Sequence, residues 1–156
     1  MFKLPSIVKE YSAVYSGDPS LVQLADNASD KERKEYAHKL KVARETGDYS
    51  ALLIEGASEP TLFQMRQLTA DAFAYLIGQV YPREGVIATN ALAFQFALRS
   101  VENLGDAKVN LVDHDKLGQI ASLSFFDRVG MPAELAMSIA TELGDLVLDK
   151  ARLRPS

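Results

Sequence analysis

The chain has no cysteine among its 156 residues. Disulfide frameworks, thiolate nucleophiles and cysteine-based zinc sites are thereby excluded together, a usage that fits a reducing compartment. Histidine is scarce, with two residues, His38 and His114. No apolar run exceeds a few residues, far short of the ~20 that a membrane-spanning helix needs. The opening Met1-Phe2-Lys3-Leu4-Pro5 carries one positive charge and no long apolar stretch, so no signal peptide is expected there. A basic stripe of the kind a phosphate backbone needs is also lacking. The expectation is a protein with neither a nucleic-acid nor a membrane partner.

What is present is an ordinary globular composition, 47% hydrophobic and 24% charged, on a chain long enough to bury its own core. Net charge is −4, from 17 basic and 21 acidic residues. Residues 1–50 carry eight of each sign, so the acidic excess lies entirely in the remainder. No low-complexity linker, charge block or fixed-period repeat divides the sequence. It reads as one domain, residues 1–50 forming an N-terminal segment with a solvated charged helix and residues 51–156 a helical core.

Ser29-Asp30-Lys31-Glu32 has the form of a capping box, and predicts a helix to about Thr46 ended by Gly47. Its apolar stripe is only Tyr36, Leu40 and Ala43, so this helix packs by a narrow seam while Glu35–Lys39 and Asp30–Lys34 support it outside. Before it, Pro5 suggests a short helix over Ser6–Ser16, although the alternation at Ile7–Tyr11 permits a strand. Asp18-Pro19 suggests a second short helix through Leu21, Val22 and Leu24, and Asp48 a turn through Ala51 to Ile54. Thr61–Leu68 alternates as a strand, with Phe63 and Met65 on one face and Gln64 and Arg66 on the other. Thr69 then caps a helix over 70–80, buried through Phe73, Leu76, Ile77 and Val80 and stopped by Tyr81-Pro82.

From Glu84 to Leu104 the spacing of Ile87, Ala91, Phe94, Leu98 and Val101 predicts a long central helix ended by Gly105-Asp106. Val109–Val112 can be extended. Asp113 or Asp115 would cap a helix through Leu117, Ile120, Leu123 and Phe126, stopped at Gly130. Met131-Pro132 opens a last helix to about Arg152, with a stripe of Leu135, Ile139, Leu143, Leu146 and Leu153 widened by Met137, Ala140, Val147 and Leu148. The fold class expected is mainly α, a single compact helical domain with one short strand or hairpin near residues 61–68.

No catalytic constellation emerges. His38 lies in the charged, solvated helix. His114 between Asp113 and Asp115 suggests a metal or a base, but adjacent residues rarely converge on one ion, and a helix-capping loop explains both aspartates. Glu134, Glu142, Asp145 and Asp149 lack the Glu-x-x-His motifs of a di-iron bundle and fit a solvated edge. Gly78, Gly85 and Gly118 stand outside any phosphate-binding loop, and Tyr75 and Tyr81 lack the basic interleaving of a single-strand platform. The expectation is therefore no enzyme, no cofactor and no metal. The apolar excess of the last helix either closes the core or, through Met131, Met137 and Leu148, makes a partner or oligomer surface.

Three segments together resemble tail assembly chaperones of long-tailed bacteriophages. They are Glu59–Thr69, an extended stretch ending in a basic residue, a leucine and a helix-starting threonine; Val101–Asp106, an apolar helix end with a glycine turn; and Leu117–Leu153, a helix pair containing Glu142-Leu143-Gly144. The resemblance covers about residues 55–153. It implies a non-enzymatic protein that binds tape-measure and tube subunits, other phage structural or tail proteins, and that can form a homo-oligomer. It also implies residence in the host cytoplasm during assembly, or in the virion. Phe63, Met65 and Arg66 on the strand, with Met137 and Leu148 on the last helix, are the partner-binding candidates. The alternatives are a minor structural component retained in the particle and a small regulator or inhibitor of a host complex.

Overall fold

The computed structural model describes residues 10–152. The part of the expected first helix before residue 10, the residues tested for a signal peptide and Leu153 lie outside this range. The architecture is mixed α/β, 50% helix and 15% strand, with one three-stranded and one two-stranded antiparallel sheet. At residues 10–13 a strand replaces the described part of the first short helix, as the alternation permitted. The mainly α expectation is further corrected by three segments in which apolar spacing was satisfied by a strand or a turn.

Strand β1 (Glu10–Ala13) pairs with β2 (Leu62–Arg66), which pairs with β3 (Leu98–Glu102), so β2 is central. As the alternation demands, Phe63 and Met65 point into the core, each 1% exposed. The polar face is tied by a hydrogen bond from Ser12 Oγ to Gln64 Oε1. β3 is the first correction: the expected long helix ends at Ala97, and Leu98 turns extended with ψ 132. Register explains the misleading spacing. Val101 opposes Phe63 and Leu98 opposes Met65, with a shift between Gln64 and Met65 that leaves Arg99 as an extra residue. Leu98 and Val101, three apart, would face opposite sides of a regular strand. The bulge brings both to the core side, and so reproduces helical spacing in extended chain.

Between β2 and β3, Thr69 caps α2 (Ala70–Tyr75) by accepting from the Ala72 N–H. The helix does not stop at Tyr81-Pro82. It widens into a π-turn over Leu76–Val80, in which the Tyr81 N–H reaches back to the Leu76 carbonyl, and runs on as α3 (Tyr81–Ala97). Proline donates no hydrogen bond and crowds the carbonyl four residues back, and the wider turn accommodates both. The real break is at Gly85, with φ 86 and ψ −175.

The second correction is the helix expected through Leu117–Phe126. Leu111–Asp113 (β4) and Gln119–Ala121 (β5) form a hairpin instead, with Gly118 at φ 51, followed by the short α4 (Ser124–Arg128). The third is Asp18-Pro19, which makes a turn: the Asp18 carboxylate accepts from the Ser20 and Thr61 N–H groups, and Leu21 bridges to Leu53.

The capping box is formed as expected. α1 (Asp30–Thr46) has reciprocal Ser29–Glu32 bonds and ends at Gly47 with φ 77. Asp48 accepts from the Ser50 N–H to start the turn at Ser50–Leu52. The last helix, α5 (Ala133–Ala151), follows Pro132 and packs along α3. Two apolar clusters result. The larger joins α2, α3, α4 and α5 to the buried face of the sheet around Phe63, Phe94 and Phe126. The smaller, of Val14, Leu21, Ala43, Tyr49 and Leu52, seats α1 through its narrow seam.

Candidate functional site

Of the five partner-binding candidates, the fold places three inside. Phe63 and Met65 are each 1% exposed and Leu148 3%, all in the larger core, so as placed they present no surface to a partner. Met137 is 39% exposed on α5, and Arg66 is half-buried at the end of β2. These two are not brought together with the other three in one site.

Arg66 does line a recess of about 90 Å³ between the sheet, the start of α2 and the β4–β5 hairpin. Phe96 and Leu117 contribute apolar walls, and Thr69 and Gly118 contribute polar ones. Thr69 Oγ1 accepts from the Ala72 N–H, which leaves its own hydroxyl proton free to donate. Beside Arg66 is the bulge residue Arg99, whose guanidinium donates to the carbonyls of Leu98 and Phe96, both at 3.0 Å. Burial first, and then the Arg66 charge, lower Arg99 from the ordinary arginine range. Arg66 was legible from the strand alternation. Arg99 was not, because it was assigned to a helix.

His114 closes the other side of this region. Its side chain is 9% exposed, set between the rings of Tyr75 at 5.4 Å and Phe96 at 5.1 Å. Nδ1 accepts from the Lys116 and Leu117 N–H groups, both at 3.2 Å. The ring therefore carries its proton on Nε2, and the Nδ1 lone pair is committed to closing the hairpin turn. The flanking aspartates do not cap a helix. Asp113 ends β4, and the Asp115 side chain is 91% exposed. Among the described residues, no group of three His, Asp or Glu side chains is placed to hold a metal ion.

Glu142 is not on a solvated edge as expected. Its Oε2 takes the Ser16 N–H at 2.8 Å and Arg44 Nη2 at 2.7 Å, and its Oε1 takes the Ser16 hydroxyl. One carboxylate on α5 thus holds α1 and the segment after β1. Sequence offered no sign of this, since Ser16, Arg44 and Glu142 are far apart in the chain.

The most exposed apolar side chains lie around the π-turn and the Gly85 break. They are Tyr81 at 50%, Val86 at 54% and Ile87 at 66%, and Ile77 nearby is 37% exposed. Ile77 was expected to be buried and Ile87 to start the central stripe. The widened turn and the break change the phase of the helix face, which takes both out of register with the core. On the hairpin, Leu111 and Val112 are 38% and 44% exposed. No helix among the described residues is long and apolar enough to cross a membrane. Comparison with protein-family models, with curated proteins and with solved structures finds no match.

Proposed function

We propose that this chain is a non-enzymatic phage morphogenesis protein, a tail assembly chaperone or adaptor that works through protein–protein contacts in the host cytoplasm during assembly. The observation that carries the reading is the apolar group Tyr81, Val86 and Ile87, each half-exposed or more around the Gly85 break, with Ile77 partly exposed on the preceding turn. Single exposed apolar residues are ordinary, but a local group of them is the usual mark of a contact surface. The tail-chaperone identity rests on the resemblance over residues 55–153. Of its three segments, only the first keeps its whole expected form, the strand ending at Arg66 with the Thr69 cap. Val101 and Glu102 end a strand, and of the expected helix pair the last helix alone is full length.

The test is co-expression with tail tube and tape-measure subunits. The wild-type chain is expected to co-purify with one of them, and the Val86→Asp/Ile87→Asp variant to lose that partner while its circular dichroism is unchanged. Recovery of the chain at high copy number in purified particles would replace the chaperone by a retained structural component. Co-purification with a host complex and no tail subunit would replace it by a regulator.

A further inference from the structure

Arg66 and Arg99 are close enough for their charges to act on one another, in a chain that carries more acidic residues than basic ones. Among the described residues, neither guanidinium is within ion-pair distance of an Asp or Glu. Glu10 is opposite Arg66 in the β1–β2 register, yet does not close a pair. Arg99 cannot swing away at no cost, because both of its terminal nitrogens are held by backbone carbonyls. Positive charge is therefore concentrated beside the recess that Arg66 lines, where repulsion from Arg66 lowers Arg99 further. An oxyanion seated there would relieve that repulsion.

The dimensions narrow the ligand. At about 90 Å³ the recess is well below the roughly 300–1,000 Å³ of a cofactor pocket, but it admits a head group of carboxylate size. Its walls are Phe96, Leu68 and Leu117, which suit a short methylene stem, and the Thr69 hydroxyl adds one donor. Paired guanidiniums can also hold phosphate, which makes inorganic phosphate the competing ligand to test.

We propose that the recess formed by Arg66, Thr69 and Phe96, with Arg99 beside it, binds an acidic side chain of a partner protein, the carboxylate on Arg66 and its stem against Phe96. That the carrier is a protein rests on the protein-contact reading above. The binding site itself does not.

The test is titration of the ¹⁵N-labelled full chain with a capped glutamate peptide, its glutamine counterpart and inorganic phosphate, followed by NMR. The glutamate peptide is expected to give saturable shifts at the Thr69 and Gly118 amides and at Arg66 Nε–H, weakening with salt. The glutamine peptide is expected to give none. Arg66→Met is expected to weaken binding roughly tenfold, the worth of one charge-assisted contact. Glu10→Gln, which removes the cross-strand competitor, is expected to strengthen it. If Arg66→Met does not fold, Arg66→Lys keeps the charge without the planar fork and is expected to bind more weakly than the wild type. Shifts that do not saturate, that keep the wild-type affinity in Arg66→Met or that the glutamine peptide reproduces would overturn the site. Tighter binding of phosphate than of the glutamate peptide would overturn the acidic-partner assignment. Peptide binding that survives while tail subunits are never captured sinks the assembly reading alone, and the converse sinks this inference alone.

Discussion

The backbone of Asn90 in α3 lies directly against Gly144 in α5, so close that a β-carbon at 144 would overlap the Asn90 carbonyl oxygen. These two helices share the most extensive helix–helix contact in the fold. The neighbour is main chain and cannot rotate aside, so Gly144→Ala must push the helices apart. The overpacking cost of about 1–3 kcal/mol exceeds the ~1 kcal/mol of helix propensity gained. We expect Gly144→Ala to lower the urea midpoint clearly. Gly78→Ala, where nothing lies within 4 Å, is the control and is expected to be neutral or stabilising.

A different constraint acts at Gly85. Its φ of 86 and ψ of −175 belong to a region that only glycine occupies readily. Its carbonyl accepts from the buried Thr89 hydroxyl at 2.6 Å, which fixes how α3 restarts after the break. Gly85→Ala is expected to cost about 1–3 kcal/mol from strain alone. It should also displace Val86 and Ile87, so its loss of partner binding is expected to exceed its loss of stability. Thermal melts and co-purification, measured on the same variant, separate the two.

The parts legible in the sequence are those in which a local signal and the tertiary fold agree. The Ser29–Glu32 box, Gly47 and the Thr69 cap satisfy backbone groups within a few residues, and the Phe63/Met65 alternation and the Pro132 start are periodic or conformational signals that the fold happens to respect. Leu98–Glu102 and Gln119–Ala121 are strands because distant edges pair with them, and pairing leaves no local trace. At Leu98 and Val101 the bulge went further and imitated a helix. The candidate site divided in the same way. Arg66 was visible on its strand, whereas Arg99 and the Glu142–Arg44–Ser16 contact required the fold. Phe63, Met65 and Leu148 were apolar enough to suggest a contact surface, and the core took them.

Glu142 offers a test of how α1 is held. The carboxylate is the acceptor for two groups of Ser16 and for Arg44, whose side chain is only 16% exposed. Glu142→Ala leaves the guanidinium and an N–H without that partner, and is expected to cost about 2 kcal/mol. Arg44→Met combined with Glu142→Ala should cost less than the sum of the two, by about 1 kcal/mol in a double-mutant cycle. Hydrogen exchange is expected to rise in α1 before it rises in α3 or α5. Additive effects would mean that the ion pair contributes nothing beyond its separate contacts.

Tyr11 gives the expected response to alkali. Its hydroxyl is buried without a hydrogen-bond partner, and desolvation pushes its pKa far above the usual tyrosine range. Burial also raises Tyr36 and Tyr49. An unfolded tyrosine ionises near pH 10, so above about that pH the unfolded chain gives up protons that the native one keeps. Stability is therefore expected to be level in this respect below about pH 10, and to fall above it by up to roughly 1.4 kcal/mol per pH unit for Tyr11, with Tyr36 and Tyr49 acting in the same direction. Tyr11→Phe removes one of these groups and also removes an unpartnered buried hydroxyl. It is expected to be neutral or stabilising by about 1 kcal/mol at pH 7, and to lessen the alkaline decline. Urea unfolding at pH 7, 9.5 and 11 with both proteins checks the sign. A Tyr11→Phe chain that is less stable at pH 7 would show that the hydroxyl has a partner, such as a bound water, in solution.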